Sequence, residues 1–485
     1  MADKNNGNEA GVKPGYVRST SGMKALLGDP KKAMIKLALP MMLGMSIQTL
    51  YNLVDTFWVS GLGADALAAV GFVFPFFFVI IALSNGLGVG AGSAISRRLG
   101  SKDKVGADNV AVHTMILMVL LSAAFTIPLY IFAEPIFVLI GAGKTAGMAS
   151  EYGRIIFGGS ILLFFTNVAN AILRSEGDTK RAMNALIFGS VLNIILDPIF
   201  IYKLGMGVSG AAWATVLSMG VTSVMMASWL FFKKDTYLSF DFKDFRFGTD
   251  ILRDIFKVGI PAAVQQTSMA LMMLVMNVII IAVSDTDGVA VYTVGWRVVT
   301  IAIAPLIGVS TAVVTLSGFA YGEGSYDKVS FSHIYSMKVG LLVETGIAIL
   351  TFVFAPQIAT VFTLSDSAAH ITDDLIVFLR IICIFYPMVS LGMLSSALFQ
   401  GVGKGLNALL ATILRALIFV PIFAVFFAFS LDMGLIGIWW GMVIGNAMGS
   451  MFIFLWARAY VTKLLRSGIA IDVPHKLPEH EELRV

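Results

Sequence analysis

The chain has 485 residues, 57% of them hydrophobic and only 13% charged, with a net charge of +4. Soluble domains carry about 25% charged residues, so a soluble globular fold is excluded, and the scattered loop cations exclude a nucleic-acid-binding face. The single cysteine, Cys383, excludes an internal disulfide and any cysteine-cluster metal centre.

Residues 1–32 form a polar tail without a short apolar core, so no cleavable signal peptide is expected, and the tail is expected to be mobile. Twelve stretches then follow that are apolar enough and long enough to cross a bilayer, which takes about 20 residues. They are 33–59, 66–96, 106–132, 153–173, 182–202, 209–232, 254–283, 288–318, 330–354, 370–399, 406–429 and 434–461. The first six make a lobe over 33–232 and the last six a lobe over 254–461. A charged, aromatic linker, 233–253, joins them, and 462–485 is a second tail. The fold class expected is an all-α integral membrane protein with two six-helix bundles around a central cleft. Lysines and arginines crowd the first tail and the 2–3, 4–5 and 6–7 connections, from Lys31 and Lys32 through Arg97, Arg98, Arg174 and Arg181 to Lys233. The opposite loops hold few, Lys144 and Lys203 among them. By the positive-inside rule both termini are then cytoplasmic, in a multi-pass plasma-membrane protein.

Span 1 contains Gln48, Tyr51, Asn52 and Asp55, whose spacing places them on one helical stripe, with Pro40 two turns earlier. Pro40 removes an amide hydrogen and kinks the span; the sequence leaves open whether that kink is static or moves. Span 5 holds Asn193 and Asp197, and span 6 Thr215. At 1.5 Å per residue, Asp55, Asp197 and Thr215 fall at one depth in the outer half of the membrane. A carboxylate at that depth is costly unless paired, protonated or ion-bound, and two neighbouring ones cannot both ionise cheaply. A lone acid of this kind can serve only to hydrogen-bond helices; two in one lobe weigh toward a proton or cation relay. Asn193 and Thr215 add neutral oxygens that suit Na⁺ as well as a proton network.

Further along, Gly86, Gly88, Gly90 and Gly92 look like a phosphate loop but lack a preceding strand, and read as small-xxx-small pairs for close helix contact. Met41, Met42 and Met45, and Met269, Met272, Met273 and Met276, suit either an adaptable cavity or ordinary lipid-facing or packing positions, with the latter preferred. In the second lobe Glu344 is expected to make a structural ion pair with Arg380 or Arg415. No metal-ligand spacing of histidines and no nucleophile motif appears, so no enzyme and no cofactor is expected.

The chain also repeats itself. Gly100–Val105 recurs as Gly324–Val329, Gly177 and Lys180 match Gly401 and Lys404, Met206-Gly207 with Gly210 and Trp213 matches Met433-Gly434 with Gly437 and Trp440, and Pro40 corresponds to Pro261. Six helices return the chain to its starting side, so the halves share one topology about an axis along the membrane normal.

Leu39-Pro40, Tyr51-Asn52-Leu53-Val54-Asp55-Thr56-Phe57-Trp58, Arg174-Ser175-Glu176-Gly177-Asp178, Leu196-Asp197-Pro198 and Gly207–Thr215 together resemble the multidrug and toxic compound extrusion (MATE) transporters, over roughly 30–462. The paired first-lobe aspartates resemble the DinF-like branch. The NorM-type pattern has acids in the seventh and tenth helices, where this chain has Gln265-Gln266 and no deep acid. The resemblance implies export of amphiphilic, often cationic, small molecules by alternating access, driven by H⁺ or Na⁺, from a monomer among membrane lipids. It makes Asp55 and Asp197 the coupling carboxylates, with Tyr51, Asn193 and Thr215 completing the network and Pro40 as the bend point of helix 1. Asn170 belongs to the same polar set, although depth counting puts it nearer the cytoplasm. The alternative is a flippase for a lipid-linked precursor, a related two-bundle plan, which Arg297, Arg380 and Arg415 keep in play.

Overall fold

The computed structural model describes residues 20–233, 236–240, 245–364 and 369–467. Among them eleven helices are long and apolar enough to cross a membrane, and one bent pair supplies a twelfth. The spanning helices are α1 (Pro30–Ser60), α2 (Ala64–Gly100), α3 (Lys104–Ile131), α4 (Gly143–Gly158 and Ser160–Ser175), α5 (Thr179–Lys203) and α6 (Gly207–Phe232) in the first lobe. In the second they are α7 (Thr249–Ile281), α8 (Thr286–Gly322), α9 (Tyr326–Val353), α10 (Ala369–Gly401), α11 (Gly405–Ser430) and α12 (Gly434–Ser467). Each expected span has its helix. The fourth differs: its halves meet at 42° across Gly159, and it begins ten residues earlier than its hydropathy suggests.

Expected tail mobility falls mostly on 1–19 and 468–485, outside the described residues. Residues 21–26 and 30–32 are helical instead. A short helix, Ser21–Leu26, is capped by Thr20, and buries Met23 and Leu26. α1 then starts at Pro30, with the Asp29 carboxylate accepting the N–H groups of Lys31 and Lys32 at 2.8 and 3.1 Å.

The duplication is visible in the turns. The 2–3 turn reverses through Lys102 (φ 63°), the 8–9 turn through Gly324 (φ 73°). In each, a C-terminal 6→1 bond closes the helix, Asp103 N to Arg98 O and Ser325 N to Ala320 O, both at 2.9 Å. The structural partner of Gly324 is therefore Lys102, two residues out of step with the alignment of identical letters. The 10–11 turn likewise pairs Gly177 (φ 83°) with Gly403 (φ 79°), not Gly401. Letters drifted while the left-handed position and the cap stayed. The third pair holds its register: Gly207 and Gly434 both have positive φ, and Gly210 and Gly437 pack on the carbonyls of Phe200 and Phe427.

The lobes meet through α1 and α2 on one side and α7 and α8 on the other. Their tight contacts lie toward the end of the bundle that carries the 2–3, 4–5 and 6–7 connections, here the basic end. Gly86 faces Gly259 and Ala263, and Gly90 faces Gly259 and the Ile255 carbonyl, while Gly88 packs on Ala171 within its own lobe. These are the close approaches the glycine spacing predicts. Gly308 of α8 lies against the backbone of Met41 and Met42. At the basic end itself Asp254 accepts from Arg97 at 2.5 Å and Arg98 at 3.1 Å, joining α2 to α7. Met41, Met272 and Met276 are buried core residues, Met42, Met45 and Met273 are half-buried, and Met269 is exposed.

The inter-lobe linker is held by the first lobe. The Glu176 carboxylate accepts the N–H groups of Tyr237 and Leu238 at 3.0 and 3.1 Å, and Asp108 accepts Ser239 N at 3.0 Å. Asn109 Oδ1 accepts Arg246 N at 3.1 Å, and His113 Nε2 accepts Gly248 N at 3.1 Å. The His113 Nδ1–H then donates to the Asn109 carbonyl at 2.8 Å, which fixes the tautomer. Glu176 is fully buried. Desolvation pushes its carboxyl up to about 8, against the pull of the Leu238 and Tyr237 amides.

Two outcomes are expected. A Cβ at Gly90 would strike the Ile255 carbonyl, so Gly90→Ala should cost about 1–3 kcal/mol. Gly346→Ala, where nothing lies within 4 Å, should stay within about 0.5 kcal/mol; thermal unfolding in detergent compares them. Glu176 holds a proton in the folded chain that the unfolded chain releases above about 4.5. Its contribution is complete below that pH and is lost as pH rises through about 8. The melting temperature should fall across that window, and Glu176→Gln should flatten the fall.

Candidate functional site

Asp197 is fully buried near the end of α5. Pro198 follows it and the helix widens into a π-helical turn, Ile199–Lys203. The missing proline N–H and the widened turn loosen the backbone where the carboxyl sits. Asp55, half-buried on α1, comes within hydrogen-bonding reach of Asp197. Tyr51, one turn earlier on the same helix, lies near both acids and near Thr215 on α6. All four lie in the half of the bundle away from the basic end, at the shared depth that helical rise predicts.

Asn193 lies one turn before Asp197 and is buried, as are Thr215 and Ser218. Its amide nitrogen donates to Asp197 Oδ2 at 2.9 Å, while its oxygen accepts from Thr215 N at 3.1 Å and Ser218 Oγ at 3.3 Å. The two carboxyls can lie together buried only with a proton or a cation between them, and with Thr215 they are hard oxygen donors of the kind that suit either.

Tyr152 and Ser218 join the network without having been picked out from the sequence. Tyr152, in the first half of α4, packs against Val59, Ile201 and Ala211, which lie one turn from Asp55, Asp197 and Thr215. That half-helix turns at Gly159, which packs tightly on Val216 of α6.

Other expected members lie elsewhere. Asn52 is exposed, while Gln48 is half-buried like Tyr51 and Asp55. Asn170 sits near the basic end, where its Nδ2 donates to the Ala182 carbonyl at 3.0 Å and its Oδ1 accepts from Arg174. It braces α4 against α5 and does not reach the acids. Pro40 lies inside α1, beside the Met41–Met42 contact with Gly308.

The ion pair expected in the second lobe does not form. Glu344 is buried with no hydrogen-bond partner on either oxygen among the described residues. The Arg380 guanidinium covers the Phe352 ring at 5.6 Å, and Arg415 packs on Gly392 and Gly449. Depth along a helix can be counted from a sequence, but the direction a side chain takes between packed helices cannot.

The family model MatE matches residues 40–199 and 261–426, once in each lobe and most of the chain. The chain belongs to the MATE family. Multidrug export protein MepA of Staphylococcus haemolyticus is 29% identical over 455 residues, covering 91% of this chain and 95% of that protein. MepA of Staphylococcus saprophyticus is 27% identical over similar shares. Among solved structures, an outward-facing multidrug resistance MATE transporter of the MOP superfamily superposes with TM-score 0.90 at 46% identity, covering 92% of this chain and 99% of that one. A MOP superfamily transporter from Pyrococcus furiosus, described as having a binding pocket of reversed polarity that suggests a different function, superposes with TM-score 0.88 at 47% identity and the same coverage. This chain is therefore a multi-pass MATE transporter with two bundles, and not an enzyme.

Asn193→Ala is expected to leave Asp197 without its amide neighbour, and to strip one partner from Thr215 and Ser218. It should lower stability by about 1–3 kcal/mol and weaken ion binding at the pair, as thermal unfolding with and without sodium will measure.

Proposed function

We propose that this MATE chain is a secondary active antiporter that exports amphiphilic or cationic compounds in exchange for H⁺ or Na⁺. It works as a monomer in the plasma membrane, with both termini and the basic end cytoplasmic. The observation that carries the reading is the buried Asp55–Asp197 pair inside one lobe, ringed by Tyr51, Tyr152, Asn193 and Thr215.

The coupling follows by linkage. The pair carries less negative charge with its ion than without, so ion binding favours whichever lobe arrangement buries it better. α1 carries Asp55 toward one end and, toward the other, the Pro40–Met42 segment that packs on Gly308 of the second lobe. A change of ion at the acids thus reaches the inter-lobe seam through one helix, with Pro40 as the bend point. With the basic end closed by Asp254, Arg97 and Arg98, the state described is the one facing outward.

The flippase reading needs cations converging on the cleft. Arg415 is buried within the second lobe and Arg380 covers Phe352, so two of its three candidates point elsewhere.

In proteoliposomes with separately imposed pH and sodium gradients, the wild type should export a cationic dye under one of them. Asp55→Asn and Asp197→Asn should fold, insert and lose at least tenfold of that flux. Full efflux by both variants would remove the pair from the mechanism.

A further inference from the structure

We propose that Lys31 and Lys338, set about the Tyr335 ring, bind the headgroup of an anionic phospholipid that bridges the two lobes at the basic end. α1 of the first lobe touches α9 of the second here. The Lys31 ammonium lies 5.9 Å from the centroid of the Tyr335 ring, across the seam. Lys338 follows Tyr335 by three residues, so it shares that face of α9. Both lysines are exposed, and among the described residues neither has a carboxylate within ion-pair distance. The acids nearest along the chain are engaged or remote. Asp29 accepts the N–H groups of Lys31 and Lys32 at the start of α1, and Glu323 pairs with Lys328. Asp327 lies three turns before Lys338, about 16 Å along α9. Two cations brought to one ring from opposite lobes repel each other, and an anion between them removes that cost.

Depth identifies the anion. No further cation occurs on α9 between Lys338 and its far end at Val353, so Lys338 marks the edge of the hydrocarbon layer. The Tyr335 ring stacks on Phe331 at 5.5 Å, an aromatic pair of the kind found at headgroup level. The exposed neighbours are apolar: Ile35 and Leu39 on α1, Ile334 and Leu342 on α9. A soluble anion would satisfy the lysines and leave those side chains bare. A phospholipid covers both, with its phosphate between the ammonium groups and its acyl chains along the apolar stripe. Because each lobe supplies one lysine, parting the lobes at this end would pull the site apart. The lipid therefore binds best with the basic end closed and, by linkage, favours that state.

Lipid binding is read out without any export, so the site stands or falls apart from the antiport reading. Full-length protein in detergent would be titrated with phosphatidylglycerol or phosphatidylcholine, and bound lipid counted by native mass spectrometry. Phosphatidylglycerol should bind more tightly. Lys31→Gln/Lys338→Gln should weaken it at least tenfold, at about fivefold per lysine. Lys257→Gln/Lys463→Gln removes the same charge from exposed positions elsewhere at the basic end and should leave the affinity unchanged. Equal losses from the two pairs, or no preference for phosphatidylglycerol, overturn the site. Spin labels placed across the basic end in phosphatidylcholine nanodiscs test the bridge. Adding phosphatidylglycerol should enlarge the closed population in the wild type and not in Lys31→Gln/Lys338→Gln. The same enlargement in both, or none in the wild type, overturns it.

Discussion

Two acids that approach each other within a membrane protein cannot both stay charged and dry, and the first lobe is organised around that constraint. Asp197 is buried beside a proline and a π-turn, Asp55 reaches it from a different helix, and the Asn193 amide nitrogen donates to it. The tyrosines near the pair add bulk and hydroxyls without adding charge. The result is a pocket whose electrostatic cost depends on what it holds. Only a group with that property lets an ion gradient bias a conformational equilibrium.

The mechanical side lies mostly in α1. Helices transmit displacement along their length, and this one runs from the acids to the seam between the lobes. The seam is made of glycine on glycine and glycine on backbone, contacts that tolerate little overlap. Close-packed surfaces of this sort separate or stay shut and do not deform gradually. Asp254, between Arg97 and Arg98, adds a polar clasp at the same end. The second lobe repeats the frame of the first but not its acids: where α1 carries Asp55, α7 offers Met276 and Asn277.

Much of this was legible in the sequence, for physical reasons. Twelve apolar stretches read as twelve helices because bilayer thickness fixes their length. Asp55 and Asp197 stood out because nothing else so polar sits so deep in that lobe, and rise per residue placed Thr215 beside them. Tyr152 was missed because the first half of α4 carries Glu151 and Arg154, which dilute its hydropathy and hid the start of the span. Glu344 was paired wrongly because depth can be counted from a sequence whereas azimuth between packed helices cannot. The turn register slipped by two residues because identical letters were aligned where the conserved feature was a left-handed backbone position.

The grip on residues 237–239 and 246–248 reaches beyond local packing. The side chains that hold them from outside the linker come from the first lobe, and the last of them, His113, takes the N–H of Gly248, directly before α7 begins at Thr249. The described parts of the connector are therefore no slack tether: they are fastened to one bundle up to the peptide that opens the other.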